Sequence, residues 1–332
     1  MKKLILGILT FLDLLKVRFL GKRVPLAIGW AVTRRCNYRC KYCAVWKTSM
    51  AELGTKAICN VIDEMASLGV KEITFTGGEP LLRDDIGVII DYAHQKNISV
   101  NLNSNGSLIK KRISELKNLS ALTLSLEGPE EIHDSLRQKG SFGDVLEATD
   151  IAFRNNIKVV FTTTLNTYNF NYIDYLLGLA KQYNVQIQFQ PSLKELLAGR
   201  EDNPVTLSSI EYNKIMRKIL ERKKGKYKKI IKNSLAGLTH LSQWPNLRNI
   251  KCASGLITCR IEPDGTVLHC DRILGNSINT FLNCAKVGFK NAFYMLPIIF
   301  CKDCCCALRV EAGYILKLNI SALVNAYLCE KR

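Results

Sequence analysis

The stretch Glu72-Ile73-Thr74-Phe75-Thr76-Gly77-Gly78 decides the fold. It reads as a strand, with apolar and polar residues alternating, until two glycines mark a turn. A helical pattern follows at 85–96 and a second strand pattern at 98–102. The same succession runs outward in both directions. Strand patterns recur at 26–32, 122–126, 159–163 and 185–189, with helical ones at 55–68, 108–116, 142–154 and 172–182. Asn105-Gly106 repeats the turn signal just after a strand. Six such units imply a parallel sheet with helices outside. The expected fold class is α/β, a partial (β/α)6 TIM-like barrel, open because a closed one takes about eight units. Residues just after strands then gather at one rim, where such barrels carry their chemistry.

The chain has 332 residues, of which 47% are hydrophobic and 23% charged, which excludes a disordered or fibrous protein. Lysine and arginine outnumber aspartate and glutamate 47 to 29, which favours anionic partners. The 13 cysteines are grouped. Cys36, Cys40 and Cys43 lie near the start; Cys252, Cys259, Cys270, Cys284, Cys301, Cys304, Cys305 and Cys306 crowd near the end. A secreted disulfide scaffold is short, with cysteines spread over its loops. The long cysteine-free middle favours metal ligation in a reducing cytosol instead.

Thr33-Arg34-Arg35-Cys36-Asn37-Tyr38-Arg39-Cys40-Lys41-Tyr42-Cys43 spaces its cysteines C-x3-C-x2-C, with an aromatic before the last. Three thiolates on one loop hold three corners of a [4Fe–4S] cubane and leave one iron open to an exchangeable ligand. A structural zinc wants four closed ligands, and no histidine lies nearby. The loop resembles the signature of the radical S-adenosylmethionine (SAM) superfamily. Thr76-Gly77-Gly78-Glu79-Pro80 resembles that superfamily's SAM-binding GGEP motif, also placed after the second strand. The resemblance implies a SAM site in which Gly77 and Gly78 let backbone approach the ligand and Glu79 receives the methionine ammonium. It extends less specifically to Tyr42, Ser104, Asn105, Ser125 and Arg137. Ser125 and Arg137 would meet the SAM carboxylate, and Tyr42 would pack near adenine. Glu127-Gly128-Pro129 and His133-Asp134-Ser135-Leu136-Arg137-Gln138 depart from the family's DGP and HDxxRG at Glu127 and Gln138, so no role is carried over to Glu127. His133, His240 and His269 stand alone in sequence, and structural roles are expected for them.

Glu262-Pro263-Asp264-Gly265-Thr266-Val267 reads as a hairpin turn between Cys252 and Cys270, and Cys301-Lys302-Asp303-Cys304 adds a C-x2-C pair. This region resembles the auxiliary-cluster domain called twitch, half of the fuller SPASM domain, that follows some radical SAM barrels. The resemblance implies one auxiliary [4Fe–4S] cluster held by Cys252, Cys270, Cys301 and Cys304, facing the barrel mouth. Cys259 is expected not to ligate it; Cys284 and Cys329 are read as plain buried thiols. Four-cysteine zinc is the structural alternative. The expected organisation is a basic amphipathic helix at 1–25, the radical SAM barrel at 26–190, a basic helical connector at 191–251, and the auxiliary domain with a C-terminal helix at 252–332.

Residues 1–25 carry six basic residues and one acid, Asp13, around an apolar arc too short to span a bilayer. The segment lies either on an anionic membrane or on its own domain. Residues 214–232 carry ten basic residues against Glu221, which reads as a solvated face or a second anionic contact. The function implied is reductive SAM cleavage to a 5′-deoxyadenosyl radical that abstracts hydrogen from a small-molecule, lipid-linked or peptide substrate. An external one-electron donor is implied, with a cytoplasmic location, peripheral on the inner membrane face if the first helix binds lipid. A lipid-linked substrate leads, and a peptide maturase is the alternative. A plain iron–sulfur electron carrier needs no GGEP motif. Nucleic acid is not an expected partner, since the basic run carries only Tyr227 for stacking.

Overall fold

The computed structural model describes residues 2–197, 201–244, 247, 250, 252–270, 281–297, 304 and 306–330, without the side chains of 2–6 and 327–330. Six parallel strands, β1 (Ala27–Thr33), β2 (Glu72–Gly77), β3 (Ser99–Ser104), β4 (Ala121–Ser125), β5 (Val159–Leu165) and β6 (Gln186–Pro191), follow one another in sheet order. Helices Thr55–Ser67, Ile86–Gln95, Ile109–Arg112, Ser141–Arg154 and Ile173–Gln182 lie between them in the chain. The expected open (β/α)6 barrel is the fold.

Strand alternation explains which face is which. Ile73, Phe75, Val100, Leu102, Leu122 and Leu124 are buried in the main core. Between them Thr74, Thr76, Asn101, Asn103, Thr123 and Ser125 are half-buried, giving a face of hydroxyls and amides. In the turns that lead into barrel strands, Gly69 before β2 is outnumbered by asparagines. Asn97, Asn156 and Asn184 adopt positive φ just before β3, β5 and β6, a conformation Asn tolerates better than most residues.

The hairpin expected around Gly265 forms, but it continues the barrel sheet. β7 (Thr258–Ile261) pairs parallel to β1, with Cys259 beside Ile28, and β8 (Val267–Leu268) returns antiparallel. The sheet thus has eight strands, β6 and β8 being its edges. The first turn of helix Ala307–Leu316 touches both β6 and β7: Ala307 N donates to Gln190 Oε1 at 3.0 Å, and Arg309 donates to Thr258 Oγ1.

One sequence reading is corrected and another refined. The single C-terminal helix is two, Ala307–Leu316 and Ile320–Glu330. Leu318 takes a left-handed φ of 57°, and Asn319 N reaches back to Tyr314 O at 3.0 Å, closing the first helix in a Schellman turn. Asn319 Oδ1 then accepts from Ala322 N at 3.2 Å and caps the second. The basic run keeps a solvated face, with Lys214, Arg217, Lys224, Lys226, Lys228 and Lys229 exposed, but not at every position. In helix Ser209–Lys224, Lys218 and Arg222 pair with Asp174, and Lys223 is buried with its ammonium on Ile231 O at 2.7 Å. Among the described residues, no helix is long and apolar enough to cross a membrane.

Candidate active site

The cysteine loop leaves the carboxyl end of β1. Cys40 is buried, Cys36 and Cys43 half-buried. The loop is tied on every side: Lys41 N donates to Leu136 O at 2.9 Å, Cys43 N to Cys40 O at 3.1 Å and Ala44 N to Leu197 O at 2.9 Å. Tyr38 N points at Cys36 Sγ at 3.5 Å, and Tyr38 OH donates to Asp144 Oδ2 at 2.6 Å.

Gly77 and Gly78 are needed for this loop. A Cβ at Gly77 would meet Thr33 O at 2.1 Å, and one at Gly78 would meet Arg35 O at 2.1 Å. Glycine therefore lets the end of β2 press on backbone leading to Cys36, with Gly78 N on Thr33 O and Glu79 N on Arg35 O, both at 2.9 Å. The close approach expected toward a ligand is, in the chain itself, an approach to the cysteine loop.

Glu79 belongs to the same turn. It is wholly buried, with Oε1 accepting from Leu81 N at 3.2 Å and Ser104 Oγ at 3.0 Å, and Oε2 from Asn105 N at 2.8 Å. Burial pushes its carboxyl up, and these donors oppose that. A carboxylate so held pins the β2 and β3 turns together beside the cysteine loop. Asn105 in turn donates to Asn37 Oδ1 at 2.8 Å, joining the β3 turn to the cysteine loop. Ser125 ends β4 half-buried, its hydroxyl making no hydrogen bond among the described residues.

Behind the loop lies a buried triad. Tyr42 OH donates to Glu127 Oε1 at 2.7 Å, Arg137 Nη1 donates to Tyr42 OH at 2.6 Å, and Arg137 lies 3.2 Å from Glu127. Thr164 N supplies a further donor to Glu127 Oε2 at 3.0 Å. Burial works against the Arg137 charge, but Cys40, Tyr42 and Glu127 outweigh it and hold the guanidinium protonated. Its Nε is buried with no hydrogen-bond partner among the described residues. His133 fills a structural place, accepting from Glu127 N at 3.1 Å; burial lowers its pKa to about 3, so the ring is neutral.

Sequence spacing gave no signal for Glu127, nor for Arg34, whose guanidinium reaches Glu262 at 2.8 Å across 228 residues. That ion pair fastens the hairpin turn to the cysteine loop, beside Leu53 N on Pro263 O at 2.8 Å. Arg83 is equally unforeseen: buried, it donates to Val32 O at 3.1 Å and pairs with Asp85 and Glu52.

The donor set fits a cubane with one open corner. Cys36, Cys40 and Cys43 sense one another electrostatically, and burial, aided by the other two thiols, pushes Cys43 up to about 11. Among the described residues no three His, Cys, Asp or Glu side chains gather around one point as a single ion requires. A cubane needs no such point, because each thiolate binds its own iron.

For the second set, Ser254 Oγ donates to His269 O, tying the segments that carry Cys252 and Cys270. Cys304 O meets His240 Nε2 at 3.1 Å. Cys301, like Cys305, lies outside the described residues, as does the side chain of Cys329. Cys259 and Cys284 are buried in the core, and burial pushes both thiols up. Because β7 runs parallel to β1, the hairpin turn shares the rim of the cysteine loop, while Cys252 and Cys270 sit at the hairpin's other end. An auxiliary group there would not face the barrel mouth.

Residues 30–180 match the family model of the radical SAM superfamily. That segment, a little under half of the chain, is a radical SAM domain, and the relatives that match it are enzymes. Fe-coproporphyrin III synthase of Methanosarcina barkeri is 31% identical over 176 residues, covering 51% of this chain but 44% of its own length. Mycofactocin maturase MftC of Mycobacterium ulcerans is 25% identical over 277 residues, covering 78% of this chain and 73% of its own. SuiB of Streptococcus suis, solved with SAM, superposes with a TM-score of 0.70 at 14% identity, over 85% of this chain and 69% of its own; it has also been solved with its precursor peptide SuiA.

Proposed function

We propose that this chain cleaves SAM reductively at Cys36, Cys40 and Cys43 and abstracts hydrogen from a substrate lying against the polar face of the sheet. The observation that carries this reading is the three-thiol loop held by the Gly77–Glu79 turn. When bound, the cluster and SAM supply the electron and the 5′-deoxyadenosyl radical that takes hydrogen from substrate. The chain's own part is to place and enclose them. Arg137, with a spare buried Nε donor, and Ser125, with an unengaged hydroxyl, take the SAM carboxylate. Glu127 and Tyr42 hold Arg137 in place; Glu79, Ser104 and Asn105 fix the turns around the loop. Cys252, Cys270, Cys301 and Cys304 hold an auxiliary [4Fe–4S] cluster that exchanges electrons with the substrate or binds it.

A peptide substrate is supported by the relation to MftC, a mycofactocin maturase, which spans most of both chains. A lipid-linked substrate is the second reading, favoured by the apolar side that helix Lys2–Leu20 turns outward. The test of the activity is anaerobic reconstitution with iron and sulfide, reduction by dithionite, and chromatography for 5′-deoxyadenosine. Its formation from SAM is expected; a reconstituted, reducible protein that leaves SAM intact contradicts the reading.

A further inference from the structure

Helix Lys2–Leu20 is mounted inside out. Thr10, Asp13, Leu14 and Val17 recur at helical spacing, and this stripe faces the body: Leu14 and Val17 are buried against Leu26, Leu256 and Leu316, with Thr10 and Asp13 half-buried. At 100° per residue, the opposite stripe is Ile8, Leu12 and Phe19, with Phe11 beside it. These are 53%, 45%, 69% and 44% exposed. An ordinary surface helix turns its polar residues outward. Here polar Thr10 and Asp13 are turned inward while large apolar groups face out.

Cations border the stripe. Lys16 stands on one flank, bonded to Asp13 at 2.8 Å, and Arg18 on the other; Lys22 follows the helix end. Arg18 and Lys22 are exposed and pair with no acid among the described residues. Arg23 differs: its guanidinium is committed to Tyr294 O and Leu296 O at 2.8 and 2.6 Å, which anchors the chain just after the helix.

We propose that this face docks the protein on an anionic lipid bilayer, with Ile8, Phe11, Leu12 and Phe19 entering the headgroup–acyl boundary while Arg18 and Lys22 meet lipid phosphates. Charge decides between a membrane and a second copy of the chain. A partner copy would bring the same cations to the same flanks, on a molecule of net charge +18. An anionic bilayer offers opposite charge and an apolar interior together. The docking does not depend on the proposed SAM chemistry.

The test is flotation of the full reconstituted protein with vesicles of phosphatidylcholine alone or mixed with phosphatidylglycerol, with SAM cleavage assayed in parallel. Wild type is expected to float with mixed vesicles and less with neutral ones. Arg18→Ser/Lys22→Ser should weaken that binding about thirtyfold. Phe11→Ser/Phe19→Ser should weaken it at least about tenfold. Iron content and SAM cleavage should be unchanged in both, since these side chains face away from the body. The proposal is overturned if wild type stays unbound, if either double variant binds mixed vesicles as wild type does, or if the face proves to be a dimer contact. The last would show as a dimer by light scattering that Phe11→Ser/Phe19→Ser converts to monomer without vesicle binding in either form.

Discussion

Arg137 is the residue on which the candidate site turns, and it is held from behind. Its guanidinium is buried with Glu127 as counter-charge and Tyr42 as the shared hydrogen-bond partner. Removing one member of a buried pair leaves the other uncompensated, at a cost of about 3–5 kcal/mol. Glu127→Gln should therefore lower the melting temperature by roughly 5 °C or more and weaken SAM binding, while leaving the iron content of the cysteine loop intact. Calorimetry and equilibrium binding measure both; a variant that melts and binds SAM like wild type removes Glu127 from the site. Local motifs made the thiols and the double glycine legible from sequence, because their meaning lies in spacing. The Glu127–Tyr42–Arg137 group was not legible as a unit, since its members lie up to 95 residues apart. The donors that hold Glu79 were not legible, because they depend on what the β3 turn brings to it.

Among the elements, helix Ser209–Lys224 shows how placement refines what composition says. Its basic residues looked like one solvated face, yet Arg222 binds Asp174 with Nε at 2.7 Å and Nη2 at 3.1 Å, beside Lys218 at 3.0 Å. The hydrogen bond from Arg222, then that from Lys218, lowers the Asp174 pKa from 3.8 to about 2. A carboxyl lowered in the folded state stabilises above its unfolded pKa, and that gain is lost as pH falls through the folded value. The group is largely solvated, so the effect is about 0.5–1 kcal/mol, not the full value of the shift. Asp174→Asn should lower the melting temperature of the metal-free protein by about 1 °C at neutral pH. The gap should close as pH falls from about 4 toward 2; a gap independent of pH contradicts the ion pair. The six strands were readable because alternation is local, and residue 318 was not, because a leucine gives no sign of a left-handed turn.

At the scale of the whole molecule, one eight-stranded sheet carries the cysteine loop after β1 and the hairpin between Cys252 and Cys270. The barrel half of that sheet followed from strand–helix succession. That the hairpin would add to β1, clamped by Arg34 and Glu262, did not, because strand order is set by packing and not by local pattern. The central claim is that Cys36, Cys40 and Cys43 hold the group at which SAM is cleaved. The direct measurement is 5′-deoxyadenosine formation and iron content of the reduced triple variant Cys36→Ala/Cys40→Ala/Cys43→Ala against wild type. The account predicts that cleavage is abolished while about four irons per chain remain, held by the second group. A triple variant that still cleaves SAM would contradict it.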